Sequence, residues 1–136
     1  MDNSSLIQAA QKARKQAYAP YSKYKVGAAL LGKNGEVFVG CNVENASYGL
    51  SMCAERAAVF KAVCAGVTDF EAIAIVTDSP EPASPCGACR QVLAEFSSEL
   101  EITLANLNGQ SRKTSIKELL PLAFTKSKLV EAKSNE

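Results

Sequence analysis

The order of elements legible along this chain, α-β-β-α-β-α-β-β-α, predicts an α/β protein built on a five-stranded mixed sheet with helices on both faces. Three observations carry that prediction. Stretches with apolar residues at helical spacing alternate with short strand-like runs. Ala72–Thr77 (Ala-Ile-Ala-Ile-Val-Thr) is a nearly unbroken apolar run, as expected of a central strand buried on both faces. The last two strand segments are joined through Asn108-Gly109, and a parallel crossover needs about a dozen residues, so these two strands must pair antiparallel.

Taken in order, Ser5 and Gln8 form a capping-box pattern. Leu6, Ala9, Ala10, Ala13 and Ala17 make one apolar face, which predicts a helix from about Leu6 to Tyr18, ended by Pro20. Strands over Lys25–Leu31 and Glu36–Cys41 follow, joined across Asn34-Gly35, a strong hairpin signal. After an irregular stretch from Asn42 to Met52, Cys53–Ala65 carries Ala, Val and Phe at helical spacing until Gly66 stops it. The Ala72–Thr77 strand leads into a loop held extended by Pro80, Pro82 and Pro85, then a helix from about Cys86 to Phe96. Ile102–Leu107 and Arg112–Ser115 are the final strands. Ser115 with Glu118 caps a last helical turn or two before Pro121, and the polar tail from Lys126 is expected to be loose.

With 136 residues, the chain is expected to be one domain over 1–136, large enough to bury a core without staples. Hydrophobic residues make up 47% and charged residues 21%, ordinary for a soluble globular protein. The net charge is +1 with Lys and Arg scattered, which leaves no clustered basic face for nucleic acid. No apolar run approaches the roughly 20 residues that span a bilayer, so no membrane partner is expected. The polar N-terminus shows no secretory signal. Five cysteines, an odd number without disulfide-framework spacing, read as reduced thiols of a cytoplasmic protein.

The chemistry is concentrated in Cys53-Ala54-Glu55 and Pro85-Cys86-Gly87-Ala88-Cys89. The chain has no histidine, so a metal site must draw on Cys, Asp or Glu. Three thiolates can hold one Zn2+ and leave the fourth tetrahedral position open, the pattern of catalytic zinc. Cys53, Cys86 and Cys89 fall at the starts of two helices, where the helix dipole lowers thiol pKa values. Glu55, two positions after Cys53, is placed to move protons on a water held there. Three thiolates on a divalent ion leave a net charge of −1. Arg56 is the candidate to offset it through hydrogen bonds to sulfur, and Arg90, next to Cys89, could share that role or be an ordinary surface arginine. Cys41 and Cys64 have no partner motif and read as small buried hydrophobes.

These motifs, with Asn42-Val-Glu44-Asn-Ala-Ser-Tyr48 between the flanking segments Tyr18–Ser22 and Leu119–Phe124, resemble the small homotetrameric type of the cytidine/deoxycytidylate deaminase family over nearly the full chain. The resemblance implies a three-layer α-β-α fold, one zinc per chain on Cys53, Cys86 and Cys89, and Glu55 as the catalytic proton carrier, not a ligand. It implies hydrolytic deamination of cytidine and 2′-deoxycytidine to the uridine forms with release of ammonia, a pyrimidine-salvage reaction. In this reading Glu55 takes a proton from water and returns protons to N3 and to the departing amino group. Asn42 and Glu44 match residues that bind the ribose 3′ hydroxyl. Ala54 and Tyr24 match substrate-binding positions, most relatives having Phe at the latter. Tyr48 and Phe124 match residues that complete a neighbouring subunit's site in a homotetramer. The related nucleic-acid-editing deaminases carry a helix between the last two strands, so its absence here favours a free nucleoside. Two other readings remain: a deaminase of a modified cytosine nucleoside such as blasticidin S, and a zinc-stabilised interaction module. The sugar-binding segment argues against the first, and Glu55 with the open metal position against the second.

Overall fold

Alternation along the strands becomes two apolar faces on one sheet. The computed structural model of the protein describes residues 1–134, so Asn135 and Glu136, the end of the expected domain, lie outside the described residues. The strands are β1 (Gly27–Gly32), β2 (Val37–Cys41), β3 (Phe70–Thr77), β4 (Glu101–Asn106) and β5 (Ser111–Ser115), in the spatial order β2-β1-β3-β4-β5. β1 is antiparallel to both β2 and β3, β3 is parallel to β4, and β4 is antiparallel to β5, as the short Asn108-Gly109 connection requires.

The helices are α1 (Asn3–Arg14), α2 (Ala54–Cys64), α3 (Gly87–Phe96), the short α4 (Ile116–Leu119) and α5 (Lys126–Ser134). On one face of the sheet, Leu6 and Ala10 of α1 pack against Ala29, Leu31, Ala74, Val76 and Ala105. On the other, Ala54, Ala58, Val59 and Ala62 of α2 and Leu93 and Ala94 of α3 pack against Ala28, Leu30, Ile73, Ile75, Ile102 and Leu104. The central strand β3 is buried on both faces from Ile73 to Thr77, which is why its sequence reads as a continuous apolar run. The expected three-layer α-β-α fold with a five-stranded mixed sheet is thus present.

Two close approaches fix the layers. A Cβ built on Gly40 of β2 would lie 2.4 Å from the carbonyl oxygen of Ala54 and 2.6 Å from the backbone nitrogen of Ala58, so α2 rests on the strand backbone itself. Gly27 of β1 does the same for α1, where a Cβ would come within 2.0 Å of the Ala10 carbonyl oxygen.

Two expectations are corrected. The first helix begins at Asn3, and its cap is Asp2, whose carboxylate accepts from the Ser5 backbone N–H at 2.8 Å; Ser5 is therefore inside the helix. The helix also ends at Arg14, not near Tyr18, because the Tyr18 backbone is taken by distant partners. Its N–H donates to the Asn42 carbonyl and its carbonyl accepts from Glu44 N–H. The second correction concerns the tail from Lys126, which is helical as α5 through Ser134.

Candidate functional site

Three chain segments meet at the carboxyl end of β3, where ligand sites of open α/β sheets occur. Cys53 is the N-cap residue of α2 and Cys86 the N-cap residue of α3, both with extended backbone and neither using its side chain to cap. Their sulfurs are therefore free to face one another. Cys89, on the first turn of α3, is fully buried and completes the group.

The three Sγ atoms lie within 4.8 Å of one another, and Cys53 Sγ is 3.8 Å from Cys86 Sγ. Zinc–sulfur bonds of about 2.3 Å at tetrahedral angles put neighbouring sulfurs about 3.8 Å apart, so the spacing suits one zinc ion. Two of the thiols perturb each other. Cys53 is drawn down to about 5, chiefly by the hydrogen bond with Cys89 and against the cost of burial, with further help from Arg56 and Cys86. Cys89 is pushed up by the same bond and by burial.

Glu55 is 5% exposed, and burial above all, with the nearby Cys53 sulfur, pushes its carboxyl up to about 7 against the opposing pull of Arg56. A carboxyl near neutrality can both give and take a proton. Arg56 Nη2 donates to Cys53 Sγ at 3.5 Å, and its buried Nε has no hydrogen-bond partner among the described residues. That donor is not spent elsewhere, which fits a guanidinium directed at excess negative charge on sulfur. Arg90 is turned the other way. Its Nε donates to the Pro85 carbonyl at 2.8 Å and its Nη1 to the Leu119 carbonyl at 2.9 Å; neither bond goes to a sulfur.

A cavity of about 280 Å³ opens beside the thiols, near the lower end of the small-molecule size range. Cys53, Ala54, Glu55 and Cys86 form its metal-binding side, Ile75 and Thr77 come from β3, and Tyr24, Asn42 and Glu44 line it too. The Asn42 side chain accepts from Val26 N–H and donates to the Tyr24 carbonyl, both at 2.8 Å. The Glu44 carboxylate accepts from the backbone N–H groups of Tyr21 and Ser22, each at 3.0 Å, and from the Ser22 hydroxyl. Each keeps spare capacity: Asn42 one N–H and one lone pair, Glu44 a lone pair on Oε2.

Tyr48 and Phe124 are not in this cavity; they are 76% and 60% exposed, Tyr48 edge-on to Tyr21. The structure thus brings together the three cysteines, Glu55, Arg56, Ala54, Tyr24, Asn42 and Glu44, and leaves Tyr48, Phe124 and Arg90 outside. Cys41 is half-buried and Cys64 exposed, so neither is the buried hydrophobe expected.

Sequence reasoning gave no role to Ser22, Ser79 or Asn106. Ser22 binds Glu44, and Ser79 Oγ lies 2.6 Å from Tyr24 Oη. Asn106, 1% exposed, donates to the carbonyls of Ser79 and Pro80 and to the Gln110 side chain, and accepts from Asn108 and Gln110 N–H. No local pattern announces these three, since their partners lie on other segments or in a turn of their own.

Known proteins match this arrangement. Residues 1–104 match the family model described as the cytidine and deoxycytidylate deaminase zinc-binding region. A cytidine deaminase of Sporosarcina psychrophila is 52% identical over 130 residues, covering 95% of this chain and 96% of that protein. One from Halalkalibacterium halodurans is 53% identical over 126 residues, covering 92% and 96%. The crystal structure of cytidine deaminase from Burkholderia pseudomallei superimposes with a TM-score of 0.89 at 55% identity, covering 91% of this chain and all of that one. A blasticidin-S deaminase of Bacillus cereus is more distant, at 33% over 114 residues, covering 78% and 81%.

Proposed function

Because the chain belongs to the cytidine and deoxycytidylate deaminase family, we propose that it is a zinc hydrolase converting cytidine and 2′-deoxycytidine to uridine and 2′-deoxyuridine with release of ammonia. The observation that carries this reading is the cavity in which Cys53, Cys86 and Glu55 sit together, with Cys89 completing the thiol group behind them. Cys53, Cys86 and Cys89 hold one zinc per chain, which when bound supplies a Lewis acid that lets water ionise near neutral pH.

Glu55 accepts the proton that the attacking water gives up. It passes that proton to N3 of the ring as the water oxygen adds at C4, then takes the remaining hydroxyl proton and delivers it to the amino group, so that the C4–N bond breaks, the C4 carbonyl forms and ammonia leaves. Arg56 offsets the surplus charge of three thiolates. Asn42 and Glu44 use their spare N–H and lone pairs on the ribose 3′ hydroxyl, and the Tyr24 ring and Ala54 shape the space for the base. We place all of residues 1–136 in one domain, acting in the cytoplasm in pyrimidine salvage. The exposed Tyr48 and Phe124 support a homotetramer in which each completes a neighbour's site, to be checked by sedimentation at several protein concentrations.

Among the described residues no helix is long and apolar enough to cross a membrane. The deciding experiment is ammonia and uridine release from cytidine, with 2′-deoxycytidine, free cytosine and blasticidin S in parallel. Turnover of blasticidin S alone would move the assignment to a modified nucleoside. No turnover of any substrate by zinc-loaded protein would favour an interaction module.

A further inference from the structure

We infer that the Tyr24 hydroxyl and Ser79 form a clasp that fixes one wall of the cavity and sets how tightly the nucleoside is held. Tyr24 lines the cavity, while its Oη lies 2.6 Å from the Oγ of Ser79, 55 residues away in sequence, which does not itself line the cavity although Thr77, Ala83 and Ser84 of the same stretch do. Tyr24 is 40% exposed, and a tyrosine on an exposed loop with no anchor at its tip changes rotamer freely.

Both ends of the clasp are held. On the Tyr24 side, its N–H donates to Ser22 Oγ at 3.0 Å, and that hydroxyl donates to the Glu44 carboxylate. Its carbonyl accepts from Asn42 Nδ2 at 2.8 Å, and Lys23 before it takes the left-handed conformation at φ 62°, rare for a residue with a side chain. On the other side, the buried Asn106 amide donates to the Ser79 carbonyl at 3.3 Å and to the Pro80 carbonyl at 3.1 Å. The backbones are therefore fixed independently of the clasp, and the hydroxyl pair decides only whether the ring stays where the cavity needs it. A wall already in its bound position spares the nucleoside the entropy of ordering it. A phenylalanine at position 24 would keep the ring and lose the clasp.

The inference rests on the deaminase reading for its kinetic readout. Tyr24→Phe and Ser79→Ala should each lower kcat/KM for cytidine about three- to tenfold, the span of one modest hydrogen bond, with the change carried by KM. The double variant should be no worse than the worse single one, and Ser79→Thr, which keeps the hydroxyl, should stay near the unaltered protein. Additive losses, or a loss carried by kcat, would overturn the clasp's role in holding substrate. The same cycle read in urea midpoints needs no substrate. If the unaltered protein does not deaminate cytidine while the two variants still couple in urea, the functional reading fails and the clasp stands. Absence of coupling in both measurements sinks the clasp itself.

Discussion

The starts of α2 and α3 are built alike and behave differently. Each has an extended cysteine as N-cap and an arginine within its first turn, Cys53 with Arg56 and Cys86 with Arg90. Two residues after the cap, however, α2 carries Glu55 and α3 carries Ala88. Arg56 reaches Cys53 Sγ, whereas Arg90 is spent on the carbonyls of Pro85 and Leu119. Both helix starts carry thiols placed to hold one metal ion, and only one carries a carboxyl beside them. A cap cysteine followed by an arginine gives a charge near sulfur at a spacing of three and a structural strap at a spacing of four, where carbonyl acceptors are open to it.

The comparison breaks first at the ligands, where the two starts should be equal. Replacing Cys53, Cys86 or Cys89 by Ala should remove zinc and turnover together, as measured by metal analysis per chain. Full zinc in any of the three would remove that residue from the ligand set. Next comes the position where they differ most. Glu55→Gln should keep zinc and fold but lose at least about 10⁴ in kcat, since an amide cannot carry protons and this one residue handles several transfers. A variant retaining a tenth of the rate would assign proton transfer to another group.

The two arginines should then separate. Arg56→Gln should lower kcat about 10- to 100-fold in fully zinc-loaded protein. Arg90→Gln should instead lower stability by about 1–3 kcal/mol, having left two carbonyls without a donor, and cost far less turnover per bound zinc. Equal kinetic damage from both would show that Arg56 works through packing. Gly40→Ala tests the seat of α2 alone, and overlap with the Ala54 and Ala58 backbone should cost about 1–3 kcal/mol in a denaturant melt. A neutral outcome would mean the helix can shift on its strand.

The smallest effect belongs to the loop leading into α2. Bonds from the Ser22 hydroxyl first, then the Ser22 and Tyr21 N–H groups, hold the Glu44 carboxyl below its ordinary value of 4.5. A depressed folded-state value means stability that is present above pH 4.5 and lost as the pH falls through the folded value. The Tm gap between the unaltered protein and Glu44→Gln should therefore narrow on moving from pH 7 to below 4. A constant gap would show that the ionised form is not what the Ser22 and Tyr21 donors bind.

Much of this was legible from residues alone. The Asn-Gly turns fixed two hairpins, with Gly35 and Gly109 at φ 92° and 87° as such turns demand. The cysteine spacing located the metal group, since an N-cap residue and its i+3 neighbour share a helix face. What escaped was decided at long range. Helix α1 stops at Arg14 because the Tyr18 backbone pairs with Asn42 and Glu44, and no pattern within the first 18 residues reveals that. Arg90 is read from sequence only as a charge near a ligand; its carbonyl partner at Leu119 lies 29 residues on. The polar composition of Lys126–Ser134 hides a helix.

The place of β3 between the ligand-bearing segments has a consequence for how the protein assembles. In the chain, β3 comes after Cys53 and before Cys86, and in the sheet it pairs with β1 on one side and β4 on the other. Cys86 and Cys89, three residues apart, can share an ion while the polypeptide is still disordered. Cys53 joins them only by closing a loop of more than thirty residues, and that closure becomes cheap once the central strand has docked. Capture of metal by all three thiols should therefore follow the docking of α2 and β3, the elements between Cys53 and Cys86. Ions held by two sulfurs should exchange freely, whereas those held by three should leave only when the middle of the sheet opens.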